Sequence, residues 1–600
     1  MKRSEIEEKY KWDLQNYAKS EKDFFARMKQ IEKRINFVKK FEGKLTIKKG
    51  DTLLANDAKI RELLDFTRDF SIEFSLLATY AHLRLSEDIA LTSANEMCEY
   101  VSNVSTKYGV NASFVDVELS TLSDAELLRL SKKPEFKNDA RFFELLIREK
   151  AHILSYKEEK LISSLGEFLG GFSDSYDKFE DADLKFLDIE DSHGKKYPFS
   201  QAKYSLYTES DDRTLRKNAF KEINGRHGAF INFLATNYIN DVKETCAFAK
   251  IRGFKSALSR AIYSEEASEK VYNMLIKKVN ENIPIMERYF EVKRKRLNLK
   301  DFAVYDSYAP IVASIKKSYT YEEAFEIIIK ALKPLGKNYT ALLERAKNER
   351  WVDVYKNDNK DSGAFSTGAY GANPVVLMNF EGDVNSVFTL AHELGHALHT
   401  YHSEKNQPYE TSDYVIFVAE VASNVNEMFL LNYFLKNAKS SEEKLYFYDQ
   451  FMRQVKASIF RQTMFSEFEE KVHALCEKGE SLTAEKLCKI YEKLNKTYHG
   501  KACKQIPEMK YEWARIPHFY RSFYVYKYAT GLMSAIEIVN NILNGKKENV
   551  KNYIDFLSAG SKTNPIDILK IAGVDLEKEK TFDDIFEYIS NFLAGMEKIV

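Results

Sequence analysis

The run His392-Glu393-Leu394-Gly395-His396 has the residue types and the spacing to hold a metal ion and to move a proton beside it. Residues four apart on an α-helix lie one above the other, so His392 and His396 can aim their imidazoles at one ion. Zinc takes neutral imidazole nitrogen at about 2.0–2.1 Å. Glu393, displaced by one residue around the helix, suits a carboxylate that takes a proton from an attacking water without ligating the metal. In a chain of this length with eleven histidines, about 0.02 chance matches to the pattern are expected, so the run is informative on its own.

A hydrolytic zinc site normally has three protein ligands and one open position. A further side chain must therefore complete the set. His399 shares a face with His392 but stands about 10 Å along the helix axis, which suits a core residue or a support for a ligand. His402 has the spacing of the last histidine in HExxHxxGxxH, yet the glycine on which that pattern turns is His399 here. Glu420 lies in the apolar stretch Phe417-Val418-Ala419-Glu420-Val421-Ala422, where an ionised carboxylate is costly unless paired or metal-bound. It is the expected third ligand. Glu427, seven residues on and on the same face, is read as an acceptor that orients a ligand histidine.

Two helices are needed to position these groups. Asp383 or Asn385 can cap the first, and Val387, Ala391, Leu394 and Leu398 give it an apolar back face. Gly395 costs such a helix about 1 kcal/mol relative to alanine, which points to a close approach by another backbone or by the site itself. After the turn at Asn406 to Pro408, Ser412 can cap the second helix. Upstream, Trp351 to Tyr355 and Val375 to Phe380 read as short strands around the turn Asn357 to Gly363. That turn is no calcium loop, because Lys360 stands where an oxygen ligand is needed. The glycine-rich run Gly363 to Gly371 lacks the Gly-Lys-Ser/Thr of a phosphate loop.

The rest of the chain reads as helix. Glycine (23) and proline (10) are scarce, and Phe24, Phe25, Met28, Ile31, Ile35, Val38 and Phe41 recur at helical spacing, so the fold class is mainly α. A polar stretch at 187–200, with Gly194 and Pro198, suggests a boundary near residue 195. The expected regions are 1–195, N-terminal and helical, and 196–600, a helical catalytic domain. Acidic and basic residues balance at 90 each, which gives nucleic acid no field to follow, and the run Lys293 to Arg296 is read as a solvated helix face. Five cysteines without a CxxC pair fit a reducing compartment rather than a disulfide framework. No apolar leader and no eighteen-residue apolar stretch is present, so a cytoplasmic location without a membrane partner is expected.

HELGHALH, followed twenty-four residues after His396 by the glutamate of FVAEVAS, resembles the thimet-oligopeptidase-like zinc metallopeptidases, and within them the oligoendopeptidase F branch. The likeness extends through SGAFSTGAYGANPVVLMNFEGDVNSVFTLAHELGH, NQPYETSDYVIFVAEVASNVNE and PHFYRSFYVYKYATG, and to a helical N-terminal region opening on KYKWDL. It covers essentially the whole chain. The resemblance implies a large zincin-type helical body with a deep substrate channel and a small β element beside the HExxH helix. It further implies one Zn2+ per chain and endopeptidase action on short unstructured peptides. In peptidases of this type a strand such as Val375 to Phe380 pairs with the substrate backbone.

In the C-terminal segment, His518, Tyr520, Tyr524 and Tyr528 are donors on a predicted helix, and such groups can stabilise the oxyanion of a tetrahedral intermediate. A tyrosine stripe at helical spacing is ordinarily core. The resemblance gives catalytic roles to His518, Tyr524 and Tyr528 and leaves Tyr520 without one. One departure, at Ala372-Asn373-Pro374-Val375 where some members carry a histidine or another polar group, bears on subsite preference. Two other readings stand beside this one. A helical zinc carboxypeptidase would need Arg or Lys for the substrate's terminal carboxylate. A non-catalytic peptide-binding protein with structural zinc would be expected to supply four protein ligands.

Overall fold

The computed structural model describes residues 1–165, 169–312, 317–545 and 547–600. Helices dominate, as the scarcity of glycine and proline leads one to expect. Among the described residues the strands are β1 (Thr46–Lys49), β2 (Thr52–Ala55), β3 (Ile189–Glu190), β4 (Lys196–Tyr197), β5 (Val352–Asp353), β6 (Phe365–Thr367) and β7 (Val375–Leu377). They form the pairs β1-β2 and β3-β4 and a three-stranded sheet. The chain forms two compact units, each assembled from separate stretches of sequence.

The first unit comprises Met1–Tyr156, Lys316–Leu430 and Asn541–Gly573. Its helix Glu21–Arg34 is capped by the Ser20 hydroxyl, which accepts the Asp23 N–H, and buries Phe24, Met28 and Ile31. The expected helical pattern then tightens into a 3-10 turn, Ile35–Phe41, that keeps Ile35, Val38 and Phe41 inward. Phe70, Leu77 and Leu83, with Met97 and Val104, form one apolar cluster with Ala369, Val375 and Leu377. Each such fully buried side chain contributes about 1.5–3 kcal/mol, so the N-terminal helices of this unit hold the sheet in place.

That sheet corrects one expectation. Its order is β5-β7-β6: β7 runs parallel to β5, with Val376 opposite Val352, and antiparallel to β6, with Val376 opposite Ser366. Both sides of β7 are occupied, so it cannot offer an edge to a substrate. The outer strands are β5 and β6, and β6 comes from the glycine-rich run Gly363 to Gly371. Three residues are too few for an alternating pattern to stand out, and the pairing partner lies ten positions away. The Lys360 ammonium, buried beside β5, donates to Asp353 Oδ1 at 2.7 Å and to the carbonyls of Tyr355 at 2.9 Å and Met378 at 2.6 Å. A turn that looked merely polar thus ties β5 to the chain leaving β7.

The second unit comprises Lys157–Ile315, Leu431–Asn540 and Val574–Val600. It pairs its buried charges: the Glu512 carboxylate meets Arg461 at 2.9 Å and Arg515 at 3.1 Å and accepts from the Tyr491 hydroxyl at 2.7 Å. Burial opposes the charge, but Arg461 and Arg515 outweigh it and hold this carboxyl down at about 2. The basic run Lys293 to Arg296 is not wholly a solvated face. Lys293 is fully buried, donates to the Ser307 carbonyl at 3.1 Å, and is pushed down by burial to about 8. No helix among the described residues is long and apolar enough to cross a membrane.

Candidate active site

The central helix of the first unit is Val384–Asn406. The Asp383 side chain caps it by accepting the Ser386 N–H at 2.7 Å, while Val387, Ala391, Leu394 and Leu398 are fully buried. The second helix, Ile416–Asn437, starts later than the sequence suggested. Ser412 does not cap it: its carbonyl accepts from Ser403 and its hydroxyl donates to the Tyr409 carbonyl at 3.0 Å. A 3-10 turn at Tyr409–Thr411 and the irregular residues 412–415 take up the intervening chain.

Gly395 sets how closely the helices pack. A Cβ there would lie 2.6 Å from Ser423 Cα and 2.8 Å from the Ala422 carbonyl oxygen. Asn426 adds a polar brace. Fully buried, it donates to the Ala391 carbonyl at 3.0 Å and accepts from the Tyr339 hydroxyl at 2.8 Å. Sequence reasoning passed over Asn426, although an asparagine in so apolar a helix was a signal that a buried partner awaits it. Gly395→Ala is expected to cost about 1–3 kcal/mol of stability, despite alanine's better helix propensity, and to weaken metal binding by displacing the helix that carries Glu420. Thermal unfolding and a metal titration check this, and a variant unchanged in both would contradict the close packing.

The packing brings together the three groups expected to share an ion. His392 Nε2 and His396 Nε2 face each other at 3.2 Å, and Glu420 Oε2 lies 3.6 Å from the first and 3.8 Å from the second. Four ligands placed tetrahedrally around zinc at about 2.0–2.1 Å stand about 3.3 Å apart. The donors therefore fit one ion of this size, and they are the His/Cys/Asp/Glu cluster among the described residues that can hold a metal. Outer contacts fix the rings: His392 Nδ1 meets Glu427 Oε1 at 3.1 Å, and His396 bonds the main chain at Ala419. The Ser423 hydroxyl donates to Glu420 Oε2 at 3.3 Å.

The electrostatics separate the two histidines. Burial pulls His392 down, but the hydrogen bond and charge of Glu427, with Glu393 and Glu420, lift it to about 9. His396 is pushed down to about 3 by burial and by His392. Glu393 is buried, its Oε2 has no partner, and burial together with Glu420 and Glu427 raises its carboxyl to about 7. His399 stands apart from the donors, stacked on Tyr414 with ring centres 3.7 Å apart and leaning on Phe556. His402 stacks on Tyr339. Neither joins the cluster.

The remaining residues singled out in sequence lie in the second unit. They do not sit on one helix: Pro517–Tyr520 is a 3-10 turn, and the α-helix Tyr526–Asn544 begins beyond Tyr524. Even so, His518, Tyr524 and Tyr528 gather, with ring centres 6.4 Å, 6.0 Å and 5.6 Å apart. Burial, with Arg521 and Arg461, lowers the His518 imidazole. Tyr520 is engaged elsewhere, its hydroxyl accepting from Asn237 at 3.0 Å and its ring packed on Tyr176 and Tyr238.

A His-Glu-x-x-His helix that meets a glutamate from a second helix defines the class, a metal-dependent hydrolase. Residues 206–588 match the model of peptidase family M3, and residues 118–186 match that of oligopeptidase F. The chain belongs to peptidase family M3 and is a metallopeptidase. It is 35% identical over 600 residues to oligopeptidase PepF of Bacillus subtilis (strain 168), covering all of this chain and 88% of that protein. It is 34% identical over 599 residues to the oligoendopeptidase F homolog of Borreliella burgdorferi, covering all of this chain and 99% of that one. Among solved structures, one from Chlamydophila abortus superposes with a TM-score of 0.92 at 31% identity and full coverage of both chains. Oligoendopeptidase-F from Enterococcus faecium does so at 0.74 and 28%, over 96% of this chain and 99% of that one.

Proposed function

We propose that this chain is an oligoendopeptidase that cleaves internal bonds of short, unstructured peptides, with His392, His396 and Glu420 holding one zinc ion and Glu393 moving the proton. The observation that carries the reading is the convergence of the three donor atoms at 3.2, 3.6 and 3.8 Å beside a buried carboxyl oxygen without a partner. Zinc, when bound, polarises the scissile carbonyl and lowers the pKa of water. Glu393 accepts the proton of the attacking water and returns it to the leaving amine. Its Oε2, free of other hydrogen bonds, is available for that proton.

Glu427 keeps the His392 ring oriented, and His518, Tyr524 and Tyr528 donate to the oxyanion as the tetrahedral intermediate forms. The substrate backbone pairs with β6 rather than with the enclosed β7. Val376 in β7 and Met378 just after it donate to the carbonyls of Trp351 and Asp353, on the β5 side, so the alternation of an antiparallel ladder turns Phe365 and Thr367 toward β7 and leaves the Ser366 main-chain groups outward. Main-chain pairing gives affinity with little sequence preference.

The balanced charge of 90 acidic and 90 basic residues supports peptides rather than nucleic acid as partners, and five cysteines without a CxxC pair support a cytoplasmic, reducing site of action. The matched segments 118–186 and 206–588 fall on either side of residue 195. They support an N-terminal region 1–195 and a catalytic region 196–600.

A peptide offered both as the free acid and as the C-terminal amide tests the reading. The two forms are expected to be cut at the same internal bonds at rates within a factor of about two, because no contact to a terminal carboxylate is required. Loss of cleavage on amidation would favour a carboxypeptidase.

A further inference from the structure

Phe523 is the residue between Ser522 and Tyr524 whose backbone is hardest to explain. Its φ is +60°, a region that bulky L-residues rarely occupy and that costs about 1–3 kcal/mol unless the surroundings enforce it. Two side chains one turn apart on the helix Arg461–Glu477 do so. Glu469, fully buried, accepts the Phe523 N–H on Oε1 at 2.9 Å. His473 bonds through Nδ1 to the Glu469 carbonyl at 2.8 Å. A carbonyl can only accept, so Nδ1 carries the proton and Nε2 is the acceptor. The Ser522 hydroxyl donates to that Nε2 at 3.3 Å, and the Phe523 ring packs on the imidazole with centres 4.6 Å apart.

The pinned pair lies in the middle of a chain of turns. Arg521 N–H bonds the His518 carbonyl at 2.9 Å, Tyr524 N–H the Arg521 carbonyl at 3.1 Å, and Tyr528 N–H the Val525 carbonyl at 3.2 Å. A change of φ at Phe523 would re-aim Tyr524 and Tyr528 against His518. Packing alone does not account for an acid at position 469. Its second oxygen is buried without a partner, and burial, with Asp241 nearby, lifts the carboxyl well above its usual range. An apolar side chain of the same length would fill the space at less cost. What it could not do is accept the Phe523 N–H.

We infer that Glu469 and His473 are positioning residues, which clamp the main chain at Ser522 and Phe523 and so hold the His518, Tyr524 and Tyr528 rings in register for the reaction. The inference rests on the proposed role of those three rings as oxyanion donors.

The test compares Glu469→Met, which keeps length and removes the acceptor, with Glu469→Gln, which keeps an acceptor oxygen. Zinc content, thermal unfolding, kcat and KM are measured on one internally cleaved peptide. Glu469→Met is expected to lose about 10- to 100-fold in kcat, in the range of a lost oxyanion donor or somewhat less, with KM and zinc content unchanged. Glu469→Gln should restore kcat to within about threefold of the parent on the same reasoning. A Met variant with kcat within twofold of the parent, or a Gln variant as impaired as Met, overturns the inference. Should Glu469→Met fail to fold, Ser522→Ala decides: a severalfold loss in kcat at constant KM supports the clamp, and unchanged kcat overturns it. Tyr528→Phe and His518→Ala in the same assay keep the two ideas apart. Full activity in both sinks the donor role itself, whereas impairment there with an intact Glu469→Met sinks only the clamp.

Discussion

Glu393→Gln is expected to lower kcat by about 10²–10⁴-fold, the range spanned by general acid–base catalysis, while the variant still binds one zinc. The amide matches the carboxylate in shape but cannot take up a proton, and Glu393 is not among the three groups whose donor atoms converge. Stability should move in the opposite sense to activity. Burial, with Glu420 and Glu427 adding to it, raises the Glu393 carboxyl to about 7 in the folded, metal-free chain, against about 4.3 in an unfolded one. A raised acid penalises folding progressively as pH climbs above the unfolded value, and the penalty levels off above the folded one. The metal-free Gln variant, which carries no such charge, is therefore expected to be at least as stable as the parent at pH 8, with the advantage disappearing below about pH 4. Denaturant unfolding at the two pH values and steady-state cleavage of a quenched peptide check both halves. Full activity in the variant would remove Glu393 from the mechanism.

Glu420→Gln should have the largest effect on the metal. An outer partner of a ligand histidine typically contributes 10–100-fold in metal affinity, and a direct anionic ligand contributes more. Zinc affinity is thus expected to fall by more than about 100-fold in Glu420→Gln and by about 10–100-fold in Glu427→Gln. Activity of the Glu427 variant should return at high zinc. Competition against a chelating dye gives the affinities. Equal effects of the two substitutions would mean that the roles of the two glutamates have been assigned wrongly, because Glu427 meets His392 on Nδ1, the side away from the other donors.

The metal helix was legible because its constraints are local. Four-residue spacing, a capping aspartate and a continuous apolar face lie within a few turns of one another, and all reappear in Val384–Asn406. Gly395 was legible for a second reason: a glycine inside a strong helix has a cost that only a close neighbour explains, and Ser423 is that neighbour. Elements set by distant pairing were not legible. β6 is three residues long and owes its existence to β7. The start of Ile416–Asn437 depends on how Ser403 and Tyr409 engage Ser412. The four-residue spacing of Tyr520, Tyr524 and Tyr528 suggested one helix, but Phe523 breaks it with a positive φ that Glu469, more than fifty residues earlier, helps to hold. Lys293 shows the same limit for charge. A basic run looks solvated in sequence, and only the fold reveals that one member points at the Ser307 carbonyl.

The central claim is that one zinc, held by His392, His396 and Glu420, makes this chain a peptidase. It is tested most directly by stripping the protein with a chelator, removing the chelator, and titrating zinc back while following cleavage of an internally quenched peptide. Activity is expected to be absent at the start, to rise in proportion to added zinc, and to reach its plateau at one equivalent per chain, with the Glu393→Gln variant binding the same equivalent and cleaving at only a small fraction of the parent rate. Full cleavage by the metal-free protein, or no cleavage once a full equivalent is bound, would contradict the account.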